Sequence, residues 1–298
     1  REKQCDYVVL EAGMGGLLDA TNVIDTTVLS IFASISMDHI GVLGNTLEEI
    51  AENKAGIIKP SCQAVVTAPQ KPSVIRILQE KTEECGCQIR IAHPEKAKVK
   101  RELMDGQIFS YEEYEDIHLN LIGRYQIDNA VTVLEAVKAL NENGAVIPED
   151  AVRAGFAKVI WQGRFQVLER EPLMIADGAH NQDAALRLAE NVRTYLAGRR
   201  IIGVMGVFKD KEYRKMAEIM APYLTKVYTI DLPNRERSLA KEELCKVLEE
   251  NGVQAEPAEG IREALIAAKA DCKRDDVVLS FGSLSYLGDV IRICRKRK

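Results

Sequence analysis

The sequence predicts an α/β chain of two domains, each built on a mostly parallel sheet covered by helices. Three observations predict it. Short apolar runs alternate with helical periods from about residue 6 to residue 92, and again from 165 to 281; parallel sheets produce this pattern because crossover helices cover both faces. The 298 residues, 46% hydrophobic, suffice for two cores. Between the two series, residues 98–122 read differently: Gly106 separates two alternating pieces and residues 112–116 are strongly acidic. That stretch is expected to be an antiparallel excursion with a solvated acidic edge.

In the first series, strands are expected at 7–10, 28–36, 64–68 and 88–92. Helices are expected at 46–59 and 73–85, the second stopped by Gly86. Residues 128–141 carry Val131, Leu134, Val137, Ala139 and Leu140 at helical spacing, ended by Asn143 and Gly144. Pro148 opens a further helix, because proline in a first turn forfeits no helical hydrogen bond. In the second series, strands at 165–168, 173–176, 200–205, 226–230 and 277–281 alternate with helices at 183–196, 213–224, 241–251 and 260–272. No Pro/Ser-rich linker, repeat or low-complexity tract intervenes. The boundary is placed so that the domains are 1–162 and 163–298.

Composition narrows the function. A net charge of -5 argues against a nucleic-acid surface. The basic end from Arg292 to Lys298 reads as a solvated terminus. No apolar run approaches the roughly 20 residues of a membrane helix, and no signal peptide is legible, so a cytoplasmic protein is expected. The seven cysteines show no framework spacing, and Cys85-Gly-Cys87 has no second pair near it, which points to reduced thiols rather than zinc. The chain starts without methionine just ahead of an apolar run, so it is expected to be a fragment lacking an N-terminal region.

The chemistry-bearing residues gather at strand ends. The run at 7–10 ends on Glu11, followed by Ala-Gly-Met-Gly-Gly; the run at 27–35 ends on Ser-Met-Asp-His, with His39 last. A carboxylate closing an apolar strand must sit at an open edge, be paired, or bind a metal. Parallel strands would bring Glu11 and His39 to one sheet edge, a candidate divalent-metal site. Gly13, Gly15 and Gly16 fail the dinucleotide fingerprint, since Leu18 stands where its third glycine belongs. They serve either a tight turn or close approach of backbone to a ligand. Lys54, from the residues alone, reads as a helix-surface lysine. Met174-Ile-Ala-Asp-Gly-Ala-His-Asn repeats the device, ending on Asp177 and His180 ahead of a helix start that favours anions. No G-x-x-x-x-G-K-[ST] cradle occurs among the 298 residues.

These motifs together resemble the folylpolyglutamate synthase and dihydrofolate synthase family of Mur-ligase-like, ATP-dependent ligases. The resemblance rests on Glu-Ala-Gly-Met-Gly-Gly-Leu-Leu-Asp-Ala-Thr-Asn from Glu11, Ser-Met-Asp-His-Ile-Gly-Val-Leu-Gly from Ser36, and Asn-Lys-Ala-Gly-Ile-Ile-Lys-Pro from Asn53. Gly-Arg-Tyr-Gln-Ile-Asp-Asn from Gly123, Gly-Arg-Phe-Gln from Gly163, Asp-Gly-Ala-His-Asn from Asp177 and Ser-Phe-Gly-Ser-Leu from Ser280 follow in the family's order. It implies an incomplete central P-loop-like domain, mostly parallel with some antiparallel strands, followed by a Rossmann-like glutamate-ligase domain. It implies ATP and Mg²⁺ as cofactors, and folate or dihydropteroate plus L-glutamate as partners, in a monomeric enzyme. ATP would phosphorylate a carboxylate, and glutamate's amine would attack the acyl phosphate. By resemblance Glu11 and His39 ligand Mg²⁺, and Lys54 is the carbamylated catalytic lysine. Asn129, Arg164 and Asp177 contact nucleotide, with His180, a second catalytic residue, near the phosphates, and Leu18, Asp19 and Ala20 hold the pteroate ring.

The chain departs from the family pattern at four places. Leu17 stands for the usual arginine, Tyr125 for a histidine, and Gln162 and Gln182 for prolines. The Leu17 change removes a positive charge beside the expected site. With the phosphate-binding loop expected upstream of Glu11, the 298 residues alone are expected to be inactive. Two alternatives stay open: a catalytically dead nucleotide- or metabolite-binding protein on this scaffold, and a Mur-type ligase for another carboxylate.

Overall fold

The computed structural model describes residues 5–39 and 41–295. The chain divides into two compact units that are discontinuous in sequence. One comprises Arg1–Lys98, Ser110–Glu115 and Ile127–Gly155, the other Val99–Phe109, Asp116–Gln126 and Phe156–Lys298.

The first unit begins with β1 (Leu29–Phe32), α1 (Leu47–Ala55), β2 (Ala64–Thr67), α2 (Pro72–Cys85) and β3 (Gln88–Ile91). Its three strands pair in parallel in the order β1-β2-β3, with Ser30 opposite Val65 and Val65 opposite Ile89. Alternation along β2 divides the core: Val65 packs with Leu47, Ala51, Ile77 and Leu78 of α1 and α2, while Ala64 and Val66 face the other way. Thr46 caps α1 through Glu49 N, and Gly86 ends α2 at φ 70°, a conformation that favours glycine.

Two expectations fail here. Residues 7–10 form no strand, and Val9 is 94% exposed. Apolar sequence alone cannot make a strand without a neighbour for its backbone groups. The strand at 28–36 stops at Phe32 because a side chain takes over the role of a neighbouring strand. The Gln70 amide donates to Ala33 O (2.8 Å) and accepts from Ile35 N (2.8 Å).

The expected excursion is a three-stranded sheet of β4 (Lys98–Leu103), β5 (Gly106–Tyr111) and β6 (Tyr114–Leu119), in that order. Two-residue links between consecutive strands can join only antiparallel neighbours. The long helix α3 (Arg124–Glu142) follows, then α4 (Glu149–Lys158). In the first unit, Ala136 and Ala139 of α3 cover Ala64 and Val66 of β2.

The second unit continues with β7 (Gln166–Arg170), β8 (Leu173–Ala176), α5 (Gln182–Tyr195), β9 (Ile201–Met205), α6 (Tyr213–Met220) and β10 (Lys226–Thr229). It is completed by α7 (Lys241–Glu250), β11 (Gln254–Pro257), α8 (Ile261–Asp271), β12 (Val277–Phe281) and α9 (Leu287–Arg295). The sheet order is β11-β10-β9-β12-β8-β7, parallel throughout except for β7, which runs antiparallel to β8. Leu173, Ile175, Val277 and Leu279 face α5, α6 and α7, whereas Met174, Ala176 and Val278 face α8 and α9. Strands buried on both faces explain the continuous apolar runs in the sequence. Strand β11 was not foreseen, because Gln-Ala-Glu-Pro carries no apolar run; its register against β10 fixes it.

This is the expected mixed α/β class. Among the described residues no helix is long and apolar enough to cross a membrane.

Candidate active-site elements

In the first unit, residues 11–22 form a loop laid over the carboxyl end of α1. Leu17 N donates to Asn53 O (2.8 Å), and Gly16 N to Asn53 Oδ1 (3.1 Å). The Asn22 side chain donates to Gly56 O (3.1 Å) and Leu17 O (3.2 Å). A Cβ on Gly16 would stand 2.6 Å from Lys54 O and 2.9 Å from Asn53 O, and one on Gly56 2.6 Å from Leu17 Cα. Of the two roles open for the glycines, close packing is therefore the one in view, and the neighbour is the helix backbone.

Asp19 fastens the loop from within. Its carboxylate accepts from Met14 N (2.9 Å), Thr21 N (2.9 Å) and the Thr21 hydroxyl (2.7 Å). These bonds, the hydroxyl's first, hold the carboxyl down at about 2. Ala20 starts the short 3-10 turn Ala20–Val23, and Leu18 projects outward, 89% exposed. Of the predicted substrate residues, Leu18 thus presents free apolar surface, whereas Asp19 is engaged in its own loop.

Lys54 lies in the last turn of α1, half-buried. Burial pushes its amine below the ordinary lysine value, against the pull of the Asp38 carboxylate. His39 has a positive φ of 52°; its N–H donates to Asp38 Oδ1 (2.8 Å), and its Nε2 lies 3.9 Å from Asp38 Oδ2. Glu11 is exposed. Among the described residues, no three His, Cys, Asp or Glu side chains are grouped as a metal cage. Without a strand at 7–10 the shared sheet edge expected for Glu11 and His39 does not form, though carboxylate and imidazole are donor types that hold divalent cations. Asn53, which ties the loop to the helix, went unassigned in the sequence; its only signal was its place in a quoted motif.

In the second unit, the carboxyl ends of β8 and β12 are adjacent, where open α/β sheets bind ligands. Asp177 follows β8 and is 5% exposed. Its oxygens accept from Phe165 N (2.8 Å) and Ala179 N (2.8 Å). Burial raises its carboxyl overall, although both amides, Arg164 and His180 pull it down. Gly178 N donates to Gly163 O (2.7 Å) and Gly282 N to Ala179 O (3.0 Å), so three turns are locked together. Phe165, at φ 43°, pays for this junction with a left-handed backbone. His180 Nδ1 lies 2.9 Å from Gly178 O, and Asn181 caps α5 through Ala184 N. Arg164 stands over the Trp161 ring at 5.3 Å. Of the predicted nucleotide residues, Arg164, Asp177 and His180 share this junction, while Asn129 belongs to the first unit, on α3.

Two stretches of the chain match known domains. Residues 1–137 match the Mur ligase middle domain and residues 163–284 the Mur ligase glutamate ligase domain. The chain is therefore built as a Mur ligase. It is 32% identical over 96% of its length to the dihydrofolate synthase/folylpolyglutamate synthase of Bacillus subtilis, covering 66% of that protein. It is 31% identical to the folylpolyglutamate synthase of Lacticaseibacillus casei, covering 98% of this chain and 67% of that one. A Mycobacterium tuberculosis folylpolyglutamate synthase, solved with ADP and AMPPCP, superposes with a TM-score of 0.87 at 30% identity over 98% of this chain and 69% of that one. The chain belongs to the folylpolyglutamate/dihydrofolate synthase family, and it spans about two thirds of the length of these relatives.

Proposed function

We propose that this chain carries part of the machinery for ATP-dependent addition of L-glutamate to a folate or dihydropteroate carboxylate through an acyl phosphate. Beyond family membership, one observation carries the reading. Lys54, with its amine pushed down by burial, sits on the helix end that the 11–22 loop clamps. A lysine deprotonated more readily than usual is suited to carbamylation, in which the free amine adds to CO₂ and releases a proton. The product is a carboxylate where the sequence has a cation.

The remaining roles follow from each residue's surroundings. Leu18 offers apolar surface to a pteroate ring, and Asp19 holds the loop that presents it. Arg164 supplies positive charge to a nucleotide or to the reacting carboxylate, and Asp177 fixes the turn that carries His180. Asn129 is proposed as a further nucleotide contact. Glu11 and His39 would hold Mg²⁺, which when bound offsets charge on the transferring phosphoryl group. Because no phosphate-cradle sequence occurs among the 298 residues, they are not expected to turn over alone.

The test is a ligase assay on the full-length gene product, with ATP, Mg²⁺ and glutamate, offering dihydropteroate and tetrahydrofolate in turn. Glutamate-dependent ADP release with at least one of them is expected; release with neither would remove this reading.

A further inference from the structure

One face of α5 bears Arg187, Asn191 and Tyr195, four residues apart, and all three meet the turn that opens α3. The Tyr195 hydroxyl accepts from Gly123 N (3.3 Å). A Cβ on Gly123 would stand 2.6 Å from Asn191 Oδ1 and 2.8 Å from Tyr125 Cε1, so the turn is pressed against the helix. Arg187 completes the face, its guanidinium 5.6 Å from the centroid of the Tyr125 ring. It is half-buried, and among the described residues no ion pair engages it.

The junction residues also act on Tyr125. Arg164 and Asp177 act electrostatically on its hydroxyl together with Arg187. Arg164 lies against Gly178, where a Cβ would meet its Nη1 at 2.7 Å. Among these groups the one carboxylate, Asp177, already accepts two backbone amides. Two guanidinium groups, of Arg164 and Arg187, act on the same hydroxyl. A half-buried guanidinium whose partner is only a ring face keeps its planar donors for a ligand.

We propose that Arg187, stacked on Tyr125 beside Arg164, binds an oxyanion of a small ligand, either a carboxylate or a phosphate. The glutamate-ligase reading enters only through the choice of probes. Arg187 is then an anion-binding residue that the sequence motifs did not mark.

Trp161, the single tryptophan of the chain, lies against Arg164 and reports on the junction. Its emission is followed while the protein is titrated with L-glutamate and, separately, with inorganic pyrophosphate. A saturable change is expected with at least one. Arg187→Gln should weaken it about tenfold, the loss of one charge-assisted hydrogen bond, and Arg187→Lys should fall between. Response to glutamate alone assigns a carboxylate, and response to pyrophosphate alone a phosphate. Equal affinity in wild type and Arg187→Gln overturns the proposal, as does a wild type silent to both probes up to about 10 mM. A Gln-insensitive response beside working ligase chemistry sinks this inference alone. An Arg187-dependent response in a protein that never ligates glutamate sinks the function reading alone.

Discussion

Gly16→Ala tests whether the 11–22 loop is seated on α1 as described. The added methyl would lie 2.6 Å from Lys54 O and 2.9 Å from Asn53 O, both backbone atoms of a helix that cannot swing aside. To reach ordinary contact near 3.4 Å, loop or helix must move by about 0.8 Å, at the expense of the Gly16–Asn53 and Leu17–Asn53 hydrogen bonds. Overpacking of this kind costs about 1–3 kcal/mol, or about 3–10 °C in melting temperature for a unit of this size. Gly155→Ala is the matched control: it lies inside α4 with nothing within 4 Å of the added carbon. Relief of glycine's helix penalty should there give a gain of up to about 1 kcal/mol. Thermal melts of both variants by circular dichroism suffice. Melting of Gly16→Ala at or above wild type would refute the packing of the loop on α1.

Three further outcomes follow. Asp177→Asn turns an amide donor toward one of the two backbone N–H groups it now accepts, and should destabilise the second unit by about 1–3 kcal/mol in thermal melts. Asp19, whose folded value of about 2 lies below the unfolded 3.8, contributes stability that is fully present above 3.8 and lost as pH falls through about 2. Amide exchange at Met14 and Thr21 should therefore stay protected to about pH 3; loss of protection by pH 5 would contradict it. Lys54, its amine lowered by burial, should form a carbamate with labelled bicarbonate at a lower pH than a surface lysine does. Carbon-13 NMR would show that signal, and it should vanish in Lys54→Met.

Much of the fold was legible in the sequence because strands buried on both faces leave apolar runs, as at β8 and β9. Helix ends were readable where a single residue decides them, as Gly86 does for α2. What failed depended on partners distant in sequence. Nothing in Tyr-Val-Val-Leu says whether a neighbouring strand exists, and nothing near Ala33 shows that Gln70 will replace one. β11 is polar and owes its place to β10 alone.

The site was legible where motifs are continuous. The loop from Glu11 to Asn22 and the junction at Asp177–Asn181 were both singled out, but their internal wiring was not. That Asp19 binds its own loop and Asp177 the amide of Phe165 depends on backbone geometry that residue types do not encode. Arg187 was invisible because its partner, Tyr125, lies on another helix and was noted only as a departure from a family pattern.

The proposed reaction activates a folate-type carboxylate by phosphorylation before glutamate attacks. Oxygen-18 placed in that carboxylate follows the bond directly. The full-length gene product, supplied with labelled substrate, ATP, Mg²⁺ and glutamate, should transfer one labelled oxygen to each phosphate released, because cleavage of the acyl phosphate leaves that oxygen on phosphorus. Amide product formed with unlabelled phosphate would contradict the account.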